Sequence, residues 1–396
     1  DLEWRHPLCD AFIKAAVGIG IPENKDYNGG IQEGVSYVQR TTKGRLRVSA
    51  AKAFLNPAKK RRNLSIRTNA HVMRIELEGK RATAVRYAVG GRHGVEHVVE
   101  ARREIILSAG TINSPHILQL SGIGPKELLD DLGIEVKHHL PGVGENLRDH
   151  YAPRFTARAK NISTINELSR GPRLWAEIGK YLLGKQSIVG LGPTLVYAFW
   201  HSNEAIRNHD LQLTFAPASY KEGVQSQLDN EPGFTVASWQ QRPESLGWVK
   251  ARSADPFDKP RIQPNYLSAE EDKRVLLAGM RLCRRIMATP ELAPYLDYEQ
   301  YPGEHIQRDD ELLQVARERG TTTYHLMGAC RMGPDSDPTA VVDSDLRVKG
   351  IKGLRVADAS IMPTMLSSNL NAGALMIGEK ASDLVLGKEP LEPIMD

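Results

Sequence analysis

The chain has 396 residues, 41% hydrophobic and 25% charged, which is the balance of a soluble globular protein and more than one ordinary core takes up, so two domains are expected. Its formal net charge of +4 is the small difference between 52 basic and 48 acidic side chains, and the basic clusters Lys59 to Arg62 and Arg284-Arg285 are short. A solvated surface is therefore expected rather than a nucleic-acid site.

Pro7 to Ile21 sets Phe12, Ala15, Ala16 and Ile19 at helical spacing, with Gly18 and Gly20 marking the exit. Between Asn63 and Ile75 the apolar positions Leu64, Ile66, Val72, Met73 and Ile75 suggest strands. Ala82 to Val89 followed by Gly90-Gly91 suggests a hairpin. Glu104 to Leu107 is a short strand running into Ser108-Ala109-Gly110. Ser114-Pro115 then opens a periodic run, Ile117, Leu118 and Leu120, that stops at Gly122. Serine before proline and a closing glycine predict a helix from about Ser114, completing a strand-turn-helix unit of an α/β sheet.

From about Tyr151 to Thr323 the pattern changes. Leu211 to Ala216, Phe234 to Gln240 and Gly247 to Ala251 read as strands between Pro- and Gly-containing turns, predicting a mainly antiparallel sheet. Ser268 and Glu271 have capping-box spacing ahead of an apolar stripe, Val275, Leu276, Met280, Cys283, Ile286 and Met287. Cys283 on that stripe is expected in the core.

The three cysteines, Cys9, Cys283 and Cys330, are far apart and odd in number, so neither a disulfide framework nor a zinc site is expected. His138-His139 has no nearby partner ligands and is expected to be a solvated pair rather than a metal site. The longest apolar stretch, around Ile188 to Trp200, is broken by Gly190, Gly192 and Pro193 and falls short of the roughly 20 residues that cross a bilayer. No transmembrane segment is expected, and the default location is cytoplasmic.

The densest signal lies near the C-terminal end. Thr323-Tyr324-His325-Leu326-Met327-Gly328 runs on to Gly333. Gly353-Leu354-Arg355-Val356-Ala357-Asp358-Ala359-Ser360 follows, then Ser367-Ser368-Asn369-Leu370-Asn371-Ala372 and an apolar helical run from Leu375 to Leu386. Taken alone, His325 is either a histidine satisfied inside a fold or a working imidazole in a backbone bent at Gly328 and Gly333. Asp358, closing an apolar strand, is either a helix cap or an acceptor for ligand hydroxyls.

The whole succession resembles the glucose-methanol-choline oxidoreductases. Ser108 to Pro125 is similar to a signature of that family, and Pro141 to His150 and Gly44 to Ala51 match it as well. The resemblance implies an α/β (α+β overall) chain: a partial Rossmann-like FAD-binding domain with an interleaved substrate domain built on a mainly antiparallel sheet. It implies residues 1–152 and 325–390 for the first and 153–324 for the second. It also implies FAD-dependent oxidation of a primary alcohol to an aldehyde by proton abstraction and hydride transfer to flavin N5. Dioxygen or a quinone-like compound would be the electron acceptor.

The family's active-site histidine falls on His325, and the paired histidine or asparagine falls on Asn369. His325 would take the hydroxyl proton with a pKa near neutrality, and Asn369 would orient the oxygen. The resemblance implies cofactor contacts at Val72, Ser108, Ala109, Gly110, Tyr324, Asp358, Ala359, Leu370 and Asn371. Trp239, Gln240 and Trp248 are expected near the substrate.

One departure is plain: no G-x-G-x-x-G occurs, and Gly142-Val143-Gly144 lacks the third glycine and reads as a turn. The family's pyrophosphate-binding segment is therefore expected to be missing, and flavin affinity of this polypeptide by itself is expected to be weak. Two other readings share the scaffold: a flavin-containing hydroxynitrile lyase, and a non-catalytic remnant that only binds.

Overall fold

The computed structural model describes residues 2–44, 46–221, 227–389 and 391–392. Arg45 of the 44–51 motif and Pro390, the end of the third expected segment, lie outside them. The chain divides into two compact units, each assembled from three separate stretches.

One unit comprises Asp1–Lys60, His150–Gln241 and Glu270–Thr323. Its centre is a six-stranded sheet in the order Gly34–Tyr37, Val196–Trp200, Leu211–Ala216, Gly233–Gln240, Arg154–Ala159 and Leu296–Tyr301, with every neighbouring pair antiparallel. The expected antiparallel sheet is thus present, although the first and last two strands of that order were not anticipated.

All eight residues of Gly233–Gln240 are buried, so this strand reads as a continuous core segment instead of alternating. Helix Glu270–Met287 lies against it and buries Val275, Leu276, Met280, Cys283, Ile286 and Met287. Gly279 lets it come close: a Cβ there would stand 2.8 Å from Ser238 Oγ and 2.9 Å from Leu211 Cδ2. Burial pushes the Cys283 thiol up to about 12, the state of a packing residue and not of a nucleophile. This helix starts at Glu270, and the N–H groups of Ser268 and Ala269 just ahead of it donate to Ser245 Oγ at 3.1 Å, so a distant serine takes part in the capping expected of Ser268.

Arg284 was expected on a solvated surface. Instead its guanidinium forks onto the buried carboxylate of Glu299 at 3.0 and 2.7 Å.

The other unit comprises Arg61–Asp149, Arg242–Ala269 and Tyr324–Asp396. A three-stranded meander, Ala70–Glu78, Arg81–Val89 and Val95–Glu100, contains the expected hairpin. Leu64 and Ile66 do not join a strand, and Asn69, just before the first strand, has left-handed φ of 54°, which ends the extended run. Ile105–Leu107 pairs in parallel with Leu354–Val356, joining segments about 250 residues apart, and helix Gly110–Leu120 follows the first of them. This is the expected strand-turn-helix element, but the helix begins four residues earlier than Ser114.

The strand Trp248–Lys250 belongs to this unit and pairs with Arg261–Gln263, not with the large antiparallel sheet where the sequence had put it. The first 60 residues likewise group with the sheet unit, because Gly34–Tyr37 supplies its edge strand.

Gly142 and Gly144 serve close approach and not phosphate binding: a Cβ would meet Thr339 O at 1.9 Å and Val249 O at 2.1 Å. His138 is half-buried, with its Nε2 2.9 Å from the carbonyl of Lys349, so it is a structural contact where a solvated pair was expected. Among the described residues there is no cluster of side chains able to hold a metal, and no helix long and apolar enough to cross a membrane.

Candidate active site

Main-chain bonds bring the C-terminal motifs together inside the second unit. Gly328 N–H donates to Ala359 O (3.2 Å), Cys330 N–H to Ser360 O (2.8 Å) and Met332 N–H to Ile361 O (2.7 Å). On the other side Arg148 and Met327 exchange both bonds, at 3.1 and 3.0 Å. Gly328 has φ of 89°, and a Cβ would stand 2.5 Å from Asn146 O, so only glycine lets these segments meet. The residue that follows Tyr324 is therefore delivered by a ladder of bonds, not by a flexible loop.

Tyr324 itself is exposed and has φ of 62°, an uncommon conformation for a bulky residue. The next peptide is anchored to offset it: His325 N–H donates to Asp149 Oδ1 at 2.9 Å, and Tyr266 Oη donates to Asp149 Oδ2 at 2.6 Å. Asp149 is buried. A carboxylate with one oxygen on the peptide and the other on a phenol fixes where the imidazole starts.

The His325 ring reaches Asn369, with Nε2 2.9 Å from Asn369 Nδ2. Asn369 lies two residues ahead of helix Asn371–Leu386, whose N-cap Leu370 makes no side-chain capping bond. Burial lowers the His325 pKa to about 4, well under the near-neutral value expected of a base. Removing the ring from water disfavours its charged form, so the imidazole is neutral at physiological pH and keeps one nitrogen lone pair.

The residues expected at the cofactor fall in the same unit with uneven support. Asp358 is a cap: Oδ1 accepts from Ser360 N–H at 2.8 Å, while Oδ2 accepts from Gly110 N–H at 2.9 Å and from Ser114 Oγ. Helix Gly110–Leu120 thus takes its N-terminal carboxylate from a strand end nearly 250 residues away, which is why it begins at Gly110 without local capping chemistry. Ser108 and Ala109 complete that turn. Val72, Ala109 and Ala359 pack against one core cluster. Tyr324, Leu370 and Asn371 adjoin the His325–Asn369 pair in sequence.

Trp239 and Gln240 are buried in the antiparallel unit, whereas Trp248 lines a cavity of about 560 Å³ in the other unit, with Asn146, Arg148, Leu246, Asn265 and Arg331. None of the expected catalytic or cofactor residues lines that cavity.

The N-terminal GMC oxidoreductase family model matches residues 2–152 and the C-terminal one matches residues 243–378. The chain belongs to the GMC oxidoreductase family. Among relatives of this GMC oxidoreductase, the oxygen-dependent choline dehydrogenase of Vibrio vulnificus is 40% identical over 394 residues, covering 98% of this chain and 69% of that protein. The mitochondrial choline dehydrogenase of Homo sapiens is 41% identical over 389 residues, covering 98% of this chain and 64% of that one. Among solved structures, pyridoxine 4-oxidase from Mesorbium loti superimposes with a TM-score of 0.85 at 27% identity, over 98% of this chain and 72% of that one. An Aspergillus oryzae formate oxidase variant gives 0.88 at 25% identity, over 98% and 71%.

The mixed fold and the enzyme class agree with expectation: this GMC oxidoreductase is an FAD-dependent alcohol oxidoreductase. Its residues fit the flavin-ring end of that cofactor. Helix Asn371–Leu386 starts with no side-chain cap and no acidic residue in its first turn, and Asn371 and Ala372 are exposed, so its N-terminus is open to an electronegative ring edge. The N-terminus of helix Gly110–Leu120, by contrast, already holds the Asp358 carboxylate.

Sequence reading missed the support beneath His325. Asp149 stood inside a matched motif without a role, and Tyr266 carried no signal. Asp149→Ala is expected to lower kcat about 10²-fold through loss of ring alignment, with a smaller change in KM. Asp149→Asn, which keeps an acceptor for the His325 amide, should recover most of it. Hydrogen exchange at that amide checks the cause: protection falls in the alanine variant and returns in the asparagine variant.

Proposed function

We propose that this chain oxidises a small primary alcohol to its aldehyde, with His325 as base and Asn369 as oxygen-orienting donor. One observation carries the reading: a neutral imidazole with Nε2 standing 2.9 Å from an amide Nδ2. A single hydroxyl satisfies both atoms at once, donating to the ring nitrogen and accepting from the amide. As the alcohol's C–H bond weakens, the hydroxyl proton moves to Nε2, and the charge growing on oxygen is met by the Asn369 N–H.

FAD, when bound, supplies the hydride acceptor. Asn371 and Ala372 at the open helix start, with Tyr324 and Ala359, would hold its ring end. The unit carrying His325 is read as the cofactor domain and the antiparallel unit as the substrate domain.

Choline is the first alcohol to test because the relatives are choline dehydrogenases, and dioxygen is the first acceptor because the Vibrio relative is oxygen-dependent. The full chain, loaded with FAD, is mixed anaerobically with choline and a panel of primary alcohols. Bleaching of the oxidised-flavin band, reversed when air is admitted, is the expected result. An unbleached flavin together with cleavage of a cyanohydrin would favour the lyase reading and overturn this one.

A further inference from the structure

The backbone on both sides of Tyr266 is left-handed: Asn265 has φ of 55° and Leu267 has φ of 59°. Among the described residues, seven that are not glycine have positive φ. Four are asparagines, a type that tolerates the conformation, and the other three are Leu267, Tyr324 and Leu346. Leu267 and Tyr324 adjoin the two ends of one hydrogen-bonded chain. In it Tyr266 Oη donates to Asp149 Oδ2 at 2.6 Å, and His325 N–H donates to Asp149 Oδ1 at 2.9 Å. A leucine stays left-handed only where its surroundings hold it there.

The turn is bolted on both sides of the phenol. Asn265 Nδ2 donates to Leu246 O at 2.9 Å, while its Oδ1 accepts from Gln263 Nε2 at 3.0 Å. Beyond Tyr266 the N–H groups of Ser268 and Ala269 both donate to Ser245 Oγ at 3.1 Å. The segment that receives these bonds is itself laced to its neighbour: Leu147 and Gly247 exchange both main-chain bonds, at 3.0 and 2.8 Å. Arg148 and Met327 do the same at the next step. Tyr266, Asp149 and His325 thus stand on adjoining segments of one ladder. The last side-chain torsion of an aspartate is broad, so a single bond to Oδ1 leaves the carboxylate free to turn. A second bond to Oδ2 removes that freedom.

We propose that Tyr266 is a positioning residue for alcohol oxidation, locking the rotation of Asp149 so that the His325 peptide, and with it the imidazole, is held in one place. The strained turn at 265–267 is what aims the phenol. The inference rests on the reading of His325 as the base, and in it Tyr266 acts through Asp149 alone.

The test uses the full chain loaded with FAD. Tyr266→Phe keeps the ring and removes one hydrogen bond to a charged acceptor, so kcat should fall about tenfold, with little change in KM. In an Asp149→Ala background the same substitution should add less than about a twofold loss, because two residues acting through one contact are not additive. Asn265→Ala, which unbolts the turn and leaves the phenol in the chain, should lower kcat in the same direction by a smaller factor. Hydrogen exchange gives a readout besides activity: protection of the His325 amide should fall in Tyr266→Phe. Unchanged kcat in Tyr266→Phe, or a tenfold loss that persists in full beside Asp149→Ala, overturns the proposal. If His325→Ala keeps its rate, the catalytic reading fails by itself, and amide exchange still decides the link: unchanged protection in Tyr266→Phe breaks it.

Discussion

His325→Ala is expected to lower kcat for the alcohol about 10³-fold, the scale of a positioned general base, with the flavin still bound. Anaerobic stopped-flow measurement of flavin reduction checks this directly, because it isolates the chemical step from reoxidation. The pH profile makes the assignment sharper. Since burial lowers the His325 pKa to about 4, the ring is already deprotonated at neutral pH. Activity in the wild type should stay level as pH falls through 6.5, the ordinary histidine value, and drop only as it nears 4. The alanine variant should lack that limb.

A base with so low a pKa has little thermodynamic pull on an alcohol proton. Proton transfer is therefore expected to run together with C–H cleavage, giving a substrate deuterium effect on the reduction rate. The same shift enters stability with a defined sign. Between about 4 and 6.5 the unfolded chain binds a proton that the folded chain does not, so stability present above 6.5 is lost as pH falls through that window.

Asn369→Ala is expected to cost about 10²- to 10³-fold in kcat, roughly 3 kcal/mol, as loss of one donor from a site where negative charge develops. KM should move less, because the ground-state hydroxyl still has Nε2 to bond. The ring pKa offers a second readout. Burial is what lowers the ring pKa, and the Asn369 side chain covers the ring. Its removal should raise the His325 pKa and shift the acid limb of the profile upward from about 4. Asn369→Asp should be worse than alanine, since a second negative charge would face the oxygen. Asn369→His, which restores a donor, should recover part of the rate. Equal kcat in the alanine variant and the wild type would rule out an oxygen-orienting role.

Much of the fold was legible because its signals are local. A helix or strand displays its period in the residues it contains, so Pro7–Gly18, Arg81–Val89, Leu211–Ala216 and Glu270–Met287 appear close to where periodicity puts them. The strand Trp248–Lys250 has the right type but the wrong sheet, because alternation says nothing about the partner. Helix Gly171–Leu182 was not anticipated, although Leu174, Ile178 and Tyr181, spaced i, i+4, i+7 and each partly buried, carry the usual pattern of a surface helix.

The site divides along the same line. The sequence alone determined which residue types are present and in what order: the His325 and Asn369 motifs, the glycines that permit close backbone approach, and membership of a flavin-dependent family. The tertiary structure decided what those residues experience. It put Asp149 and Tyr266 behind the His325 peptide, brought Asp358 to the head of a helix nearly 250 residues away, and withdrew an imidazole from water until its pKa fell to about 4. Periodicity and motif are properties of neighbours along the chain. Desolvation and hydrogen-bond partnership belong to neighbours in space, and no stretch of sequence contains them.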